Sequence, residues 1–179
     1  MLFILLLLLV GIVLIYIITT QNRLVRTREN ISNALSQIGV NQTSRFDILS
    51  QLAKATASYS KHEYRTLMDV IDARQTPQTP KTVDDNEARI QQAMTTIHAV
   101  AEQYPDLKAS VVYQNTMAQM DNYENKVRTA RMVYNDTVTI HNRLVRSIPS
   151  SIVASLFGFT EAAYLENDPA KSEMPDLNF

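Results

Sequence analysis

Residues 2–18 read LFILLLLLVGIVLIYII, an unbroken apolar run containing one Gly and one Tyr. As a helix this run covers about 25 Å, and Thr19 and Thr20 add about 3 Å, enough to cross a hydrocarbon core of about 30 Å with slight local thinning. A core helix of a water-soluble domain has no need to be apolar on every face. A cleaved signal sequence fits less well, because no basic n-region precedes Leu2 and no A-x-A-like site follows the run. The expectation is a retained single-pass anchor over residues 1–20, with Leu2, Phe3, Ile4, Leu9, Val13 and Ile18 among its lipid-facing residues. Arg23, Arg26 and Arg28 follow directly, against Glu29. The positive-inside rule then places the body on the cytoplasmic side with the N-terminus outside.

The remaining chain carries all the charge. Seventeen basic and eighteen acidic residues leave a net charge of −1, which argues against a general nucleic-acid binder. No Cys is present, so disulfides, Fe–S clusters, thiolate zinc sites and cysteine nucleophiles are excluded. Three Gly in 179 residues is far below the usual level of about 7%, which leaves little material for Gly-rich phosphate loops and favours long helices.

Residues 21–74 contain no Pro and only Gly39. Apolar residues recur at Leu24, Ile31, Leu35, Ile38, Leu49, Leu52, Leu67, Val70 and Ile71, many at spacings of 3, 4 or 7, the pattern of a helix with one buried stripe. The reading is one helix over 21–74, bent at Gly39, with a second break possible at the polar residues 42–45. Residues 75–83, QTPQTPKTV, form a linker that cannot continue a helix. A second helix runs over 84–104, started by Asp84 and Asp85 with Glu87 near the positive end of its dipole, and Tyr104-Pro105 ends it. A third, over 110–148, carries Tyr113, Met117, Met120, Tyr123, Val127, Ala130, Tyr134, Val138, His141 and Val145 at spacings of 3 or 4 throughout. A short helix over 151–157 follows, and residues 166–179 form an acidic, disordered tail. No useful period-2 alternation occurs. The fold class is therefore all-α, a transmembrane helix followed by an antiparallel bundle of long helices over 21–165.

Catalytic constellations are missing. His62, His98 and His141 fall on three different elements; His62-Glu63 opens like a zinc-protease motif but lacks the second His. There is no G-x-S-x-G, Walker loop or dinucleotide fingerprint. No catalytic, metal or cofactor residue is assigned, and no small-molecule substrate. The dense polar run on the third helix includes Glu124, Asn125, Arg128, Arg131, Tyr134 and Asn135. It reads either as a solvated, salt-bridged face or as residues that specify register or a subunit contact.

In order along the chain stand Asn22-Arg23-Leu24-Val25, Asn33-Ala34-Leu35-Ser36-Gln37-Ile38, Arg45-Phe46-Asp47-Ile48-Leu49 and Tyr59-Ser60-Lys61-His62-Glu63. Then come Tyr104-Pro105-Asp106-Leu107-Lys108-Ala109, Glu124-Asn125-Lys126-Val127, Ala130-Arg131, Tyr134-Asn135, Ile148-Pro149 and Leu156-Phe157-Gly158-Phe159. This ordered set resembles the bacterial LemA family over roughly residues 22–165. The family often has Trp where Leu35 stands, Pro where Ser50 stands and Tyr where His141 stands. The resemblance implies one N-terminal membrane helix and a long antiparallel bundle in a bacterial membrane, and one branch, the MamQ proteins, is linked to magnetosome membrane formation.

The functional expectation is a non-enzymatic, single-pass membrane-anchored helical scaffold that self-associates into a homo-oligomer and organises or shapes a membrane patch. The first helix, longer than its partners, is expected to leave residues 21–38 unpaired beside the membrane, so that Leu24, Ile31, Leu35 and Ile38 pack against a second copy. Two other readings are a membrane-tethered adaptor that binds another protein, such as another membrane protein, through the polar face of the third helix or the acidic tail, and a tethering device that pairs helices across two membranes.

Overall fold

The structure is a computed structural model that describes residues 1–77 and 79–166. Gln78 in the linker and all of the acidic tail except Glu166 lie outside the described residues. Among those described, every regular element is a helix: α1 (Leu2–Thr56), α2 (Lys61–Asp72), α3 (Pro80–Gln103), α4 (Pro105–Ala109), α5 (Val111–Arg146) and α6 (Ser150–Leu156).

The apolar run and the first body helix are one continuous rod, α1, about 83 Å long. The helix runs unbroken through Gly39 and through residues 42–45. A Cβ on residue 39 would lie 2.6 Å from the Pro77 ring, so Gly39 is the place where the linker crosses α1 at close range. Residues 42–45 interrupt the apolar stripe because Gln42 and Arg45 are buried and bonded to α3.

The helix expected over 21–74 is two helices. α1 stops at Thr56, and α2 restarts after Ser60, whose hydroxyl accepts from the Glu63 backbone N–H at 3.3 Å. Ser60-x-x-Glu63 is the spacing of an N-terminal capping box. α3 likewise begins earlier than Asp84. Thr79 caps it through a reciprocal pair with Thr82, and Pro80 takes the first helical position, where its missing N–H costs nothing. α3 ends before Pro105 as expected, and Ser110 caps α5 by accepting from the Tyr113 N–H.

The bundle has two stacked cores. The distal core brings together four long or medium helices: Phe46, Leu49 and Leu52 from α1, Leu67 and Ile71 from α2, Ile90, Ile97 and Val100 from α3, and Tyr113 and Met120 from α5. The proximal core, nearer the apolar run, is thinner. Ala34 and Ile38 of α1 meet Val127, Ala130, Tyr134 and Val138 of α5. An antiparallel register follows from the Thr27–His141 hydrogen bond; with equal rise on both helices, Arg146 lies level with about residue 22. α5 therefore runs the whole way back to the end of the apolar run.

Candidate functional site

The third side of the proximal core is closed by residues 159–166, an extended strap that runs up the bundle after α6. Its backbone is held by polar side chains of α5. Asn142 donates to the Ala162 carbonyl at 2.9 Å and accepts from the Ala162 N–H at 2.8 Å. Asn135 makes the same two-way pairing with Leu165. The Tyr134 hydroxyl donates to the Ala163 carbonyl at 2.9 Å. His141 donates through Nε2 to the Thr160 carbonyl, which can only accept, and its Nδ1 faces the Thr27 hydroxyl at 2.9 Å. These amides supply the partners that an adjacent strand would otherwise give the strap, and Leu165 is thereby pressed into the proximal core.

Two ion pairs tie α3 into the same seam. Arg131 reaches Asp84 at 2.8 Å, and Asp84 also accepts from the Glu166 N–H. Asp84 is thus a bridge between α5 and the strap rather than a helix start. Arg45, 1% exposed, bonds both carboxylate oxygens of Glu87 at 2.7 and 2.8 Å, and Gln42 donates to the Val83 carbonyl. Burial, with the Asp84 carboxylate as a smaller contribution, pushes the Tyr134 hydroxyl above its ordinary value of 10. Burial, and then Glu102, does the same to Tyr113.

The residues expected to meet a second copy divide clearly. Leu24 and Ile38 are both 0% exposed. They are covered from within the same chain, because α5 reaches the base of α1 and leaves no overhang over 21–38. Ile31 and Leu35 are half-buried against the proximal core. Arg131, Tyr134 and Asn135 of the polar run point inward to α3 and the strap, which removes them from a partner-binding face. The exposed Arg128 approaches the half-buried Glu124 one turn away at 3.9 Å. Asn125 remains on the surface. The anchor residues Leu2, Phe3, Ile4, Leu9, Val13 and Ile18 are all exposed.

Asn125 lies in a shallow groove along the α1–α5 seam, with Gln37, Asn41, Asn122, Lys126, Thr129 and Val133. Ser36 and Val40 extend it on α1, and Val40 is 67% exposed. Residues 30–44 contain no Asp, Glu, Lys, Arg or His, so every exposed position of four turns of α1 is uncharged. A count of charge along the sequence finds this belt; hydrophobic periodicity does not. Among the described residues, no group of three or more His, Asp or Glu is placed to hold a metal ion.

These features define a class, an elongated helical bundle built directly onto a helix that is long and apolar enough to cross a membrane. Residues 34–179 match the LemA family, and the chain belongs to it. Among curated relatives, protein LemA of Metamycoplasma hominis is 25% identical over 149 residues, covering 81% of this chain and 68% of that protein. Magnetosome protein MamQ 2 of Paramagnetospirillum magneticum is 30% identical over 78 residues, covering 44% of this chain and 29% of the relative. Magnetosome protein MamQ of Magnetospirillum gryphiswaldense is 24% identical over a stretch of the same length. The match to the MamQ proteins takes in less than a third of their length. The protein is a membrane-associated helical member of the LemA family.

Proposed function

We propose that this protein is a non-enzymatic scaffold that associates laterally with copies of itself in one membrane. The observation that carries the reading is the uncharged belt on α1 at residues 30–44, beside an α5 surface of Asn122, Asn125, Thr129 and Val133 in which Lys126 is the one charged residue. Depletion of charge is the compositional mark of an interface centre, and here it falls in a chain whose residues are 20% charged. The belt begins about 18 Å above the end of the apolar run, at a height that neighbouring anchored copies share. Because α1 is one helix through the anchor and the belt, each copy presents the belt at a fixed height and tilt. Some of the relatives are named as magnetosome proteins, which accords with a membrane-organising role.

The body is assigned to the cytoplasmic face, because Arg143 and Arg146 at the end of α5 join Arg23, Arg26 and Arg28 at the base of the bundle. The adaptor reading loses ground, since Arg131, Tyr134 and Asn135 are engaged by the protein's own strap.

Particle mass of the full-length chain, extracted with native lipid into polymer-bounded discs, tests the proposal. Oligomers are expected, and Val40→Arg is expected to reduce them to monomers with unchanged helical content, since Val40 contacts little within the chain. Monomers from the wild-type chain would overturn it, as would oligomers indifferent to Val40→Arg and Asn125→Arg.

A further inference from the structure

A second uncharged segment lies at the base of the bundle. Residues 147–160 carry no charged side chain, and they are bracketed by Arg146 and Glu161, whose side chains approach to 3.8 Å across the neck of the segment. Within it, α6 turns Ser150, Val153 and Ala154 toward α1 and α5. The opposite face is apolar and uncovered. Ile148, Ile152 and Leu156, four residues apart, are 84, 67 and 69% exposed, and Phe157 beside them is about half exposed. A seven-residue helix that buries small residues and displays its largest apolar ones reverses the usual arrangement for a water-facing element.

Its position identifies what covers that face. α5 ends level with about residue 22 of α1, and α6 follows, packed on both helices. Burial on α1 begins at Thr20. Ile12, Ile15 and Ile18 are exposed as on a bare helix, whereas Ile17 is half-buried, so a neighbouring element reaches down to the upper turn of the apolar run. α6 and the residues that flank it follow directly from this end of α5, and α6 contacts α1. Above it stand Arg23, Arg26, Arg28, Arg143 and Arg146 against Glu29 and Glu161, a net positive collar at headgroup height.

We propose that α6 and its flanking residues 147–158 form a membrane-interface foot, with Ile148, Ile152, Leu156 and Phe157 inserted into the boundary between headgroups and acyl chains of the same bilayer that holds residues 2–20. Interfacial helices place their apolar face about 5–10 Å into this boundary and use basic residues against anionic headgroups. The foot gives the bundle a second point of attachment beside the anchor, which fixes the orientation of the body about the α1 axis. The inference rests on the reading that residues 2–20 span a membrane.

The chain has no Cys, so a single introduced thiol can be labelled specifically. Full-length protein carrying Leu9→Cys, Ile152→Cys, Leu156→Cys or Val111→Cys is labelled with a small fluorophore and reconstituted into phosphatidylcholine–phosphatidylglycerol vesicles containing lipids brominated along the acyl chain. Leu9 reports the span. Val111 is exposed at the start of α5, about 50 Å from its membrane end. The foot predicts strong quenching at Leu9, none at Val111, and clear quenching at both Ile152 and Leu156. Quenching at Leu9 with both foot labels as unquenched as Val111 would overturn the foot and leave the anchor standing. No quenching at Leu9 would overturn the spanning reading, and the foot with it.

Discussion

Glu87→Ala strikes at the most deeply buried charge in the bundle. Arg45 is 1% exposed and its Nη1 bonds both oxygens of Glu87, whose side chain is 18% exposed. Removing one partner of a buried pair leaves an uncompensated charge and costs about 3–5 kcal/mol. Water reaches the Glu87 side, so the lower end, about 3 kcal/mol, is expected. For a domain of this size that corresponds to a loss of about 6–12 °C in Tm. Glu87→Gln keeps the shape and one acceptor and is expected to lose less. Arg45→Met combined with Glu87→Leu removes both charges and is expected to recover most of the loss, since buried pairs replaced by apolar residues of similar volume are often neutral. Thermal unfolding of the full-length chain in mild detergent, followed by circular dichroism at 222 nm, reads all four proteins. A Glu87→Ala variant within about 0.5 kcal/mol of wild type, or a double variant no better than the single one, would refute the pair as the element that locks α3 onto α1.

Three further outcomes follow from the same geometry. Gly39→Ala gains helix propensity of about 1 kcal/mol but drives a Cβ to 2.6 Å from the Pro77 ring, so overpacking of about 1–3 kcal/mol makes the variant less stable; Gly11→Ala, with nothing within 4 Å, shows no such loss, and paired melting curves compare them. Asn142→Ala deletes both strap hydrogen bonds at Ala162 and is expected to cost about 1–3 kcal/mol, with limited proteolysis of the strap accelerated far more than cleavage within α3 or α5. The raised Tyr113 and Tyr134 values mean that the folded chain holds these protons when the unfolded chain has released them. Their contribution is therefore full below about pH 10 and is lost as pH rises through the higher folded values; Tyr134→Phe should flatten the alkaline limb of a stability-against-pH curve.

The parts of the fold that were legible in the sequence are those governed by periodicity and by Pro. The 3-and-4 spacing from Tyr113 to Val145 marks the inner face of α5, because a helix that packs along its whole length must repeat its apolar residues each turn. Tyr104-Pro105 marks the end of α3 for steric reasons. The break after Thr56 contains neither Gly nor Pro, so only the Ser60-x-x-Glu63 signature pointed to it. Thr79-Pro80 reads as part of the 75–83 linker, because a Pro more often ends a helix than opens one, and the expected start of α3 falls at Asp84 instead. The strap has no period, and its placement depends on amide side chains that look, in sequence, like an ordinary wet face. Arg45 and Gln42 interrupt the apolar stripe in sequence because nothing local reveals that Glu87 and the Val83 carbonyl await them. For the same reason the surface residues of α5 divided unexpectedly: Arg131, Tyr134 and Asn135 serve the interior, and Asn125 the surface. Leu24 and Ile38 were recognisable as residues that need cover, but the sequence did not say that α5 would supply it.

Lateral association of copies anchored in one membrane is tested most directly by cross-linking in intact membranes of expressing cells. Val40→Cys lies in the uncharged belt, and Val111→Cys lies at the far end of α5; each supplies the chain's only thiol. With a short bismaleimide, Val40→Cys is expected to yield covalent dimers within the membrane fraction, while Val111→Cys stays monomeric at the same expression level. Dimers absent from Val40→Cys, or equally abundant in both, would contradict the belt as the surface through which this protein assembles.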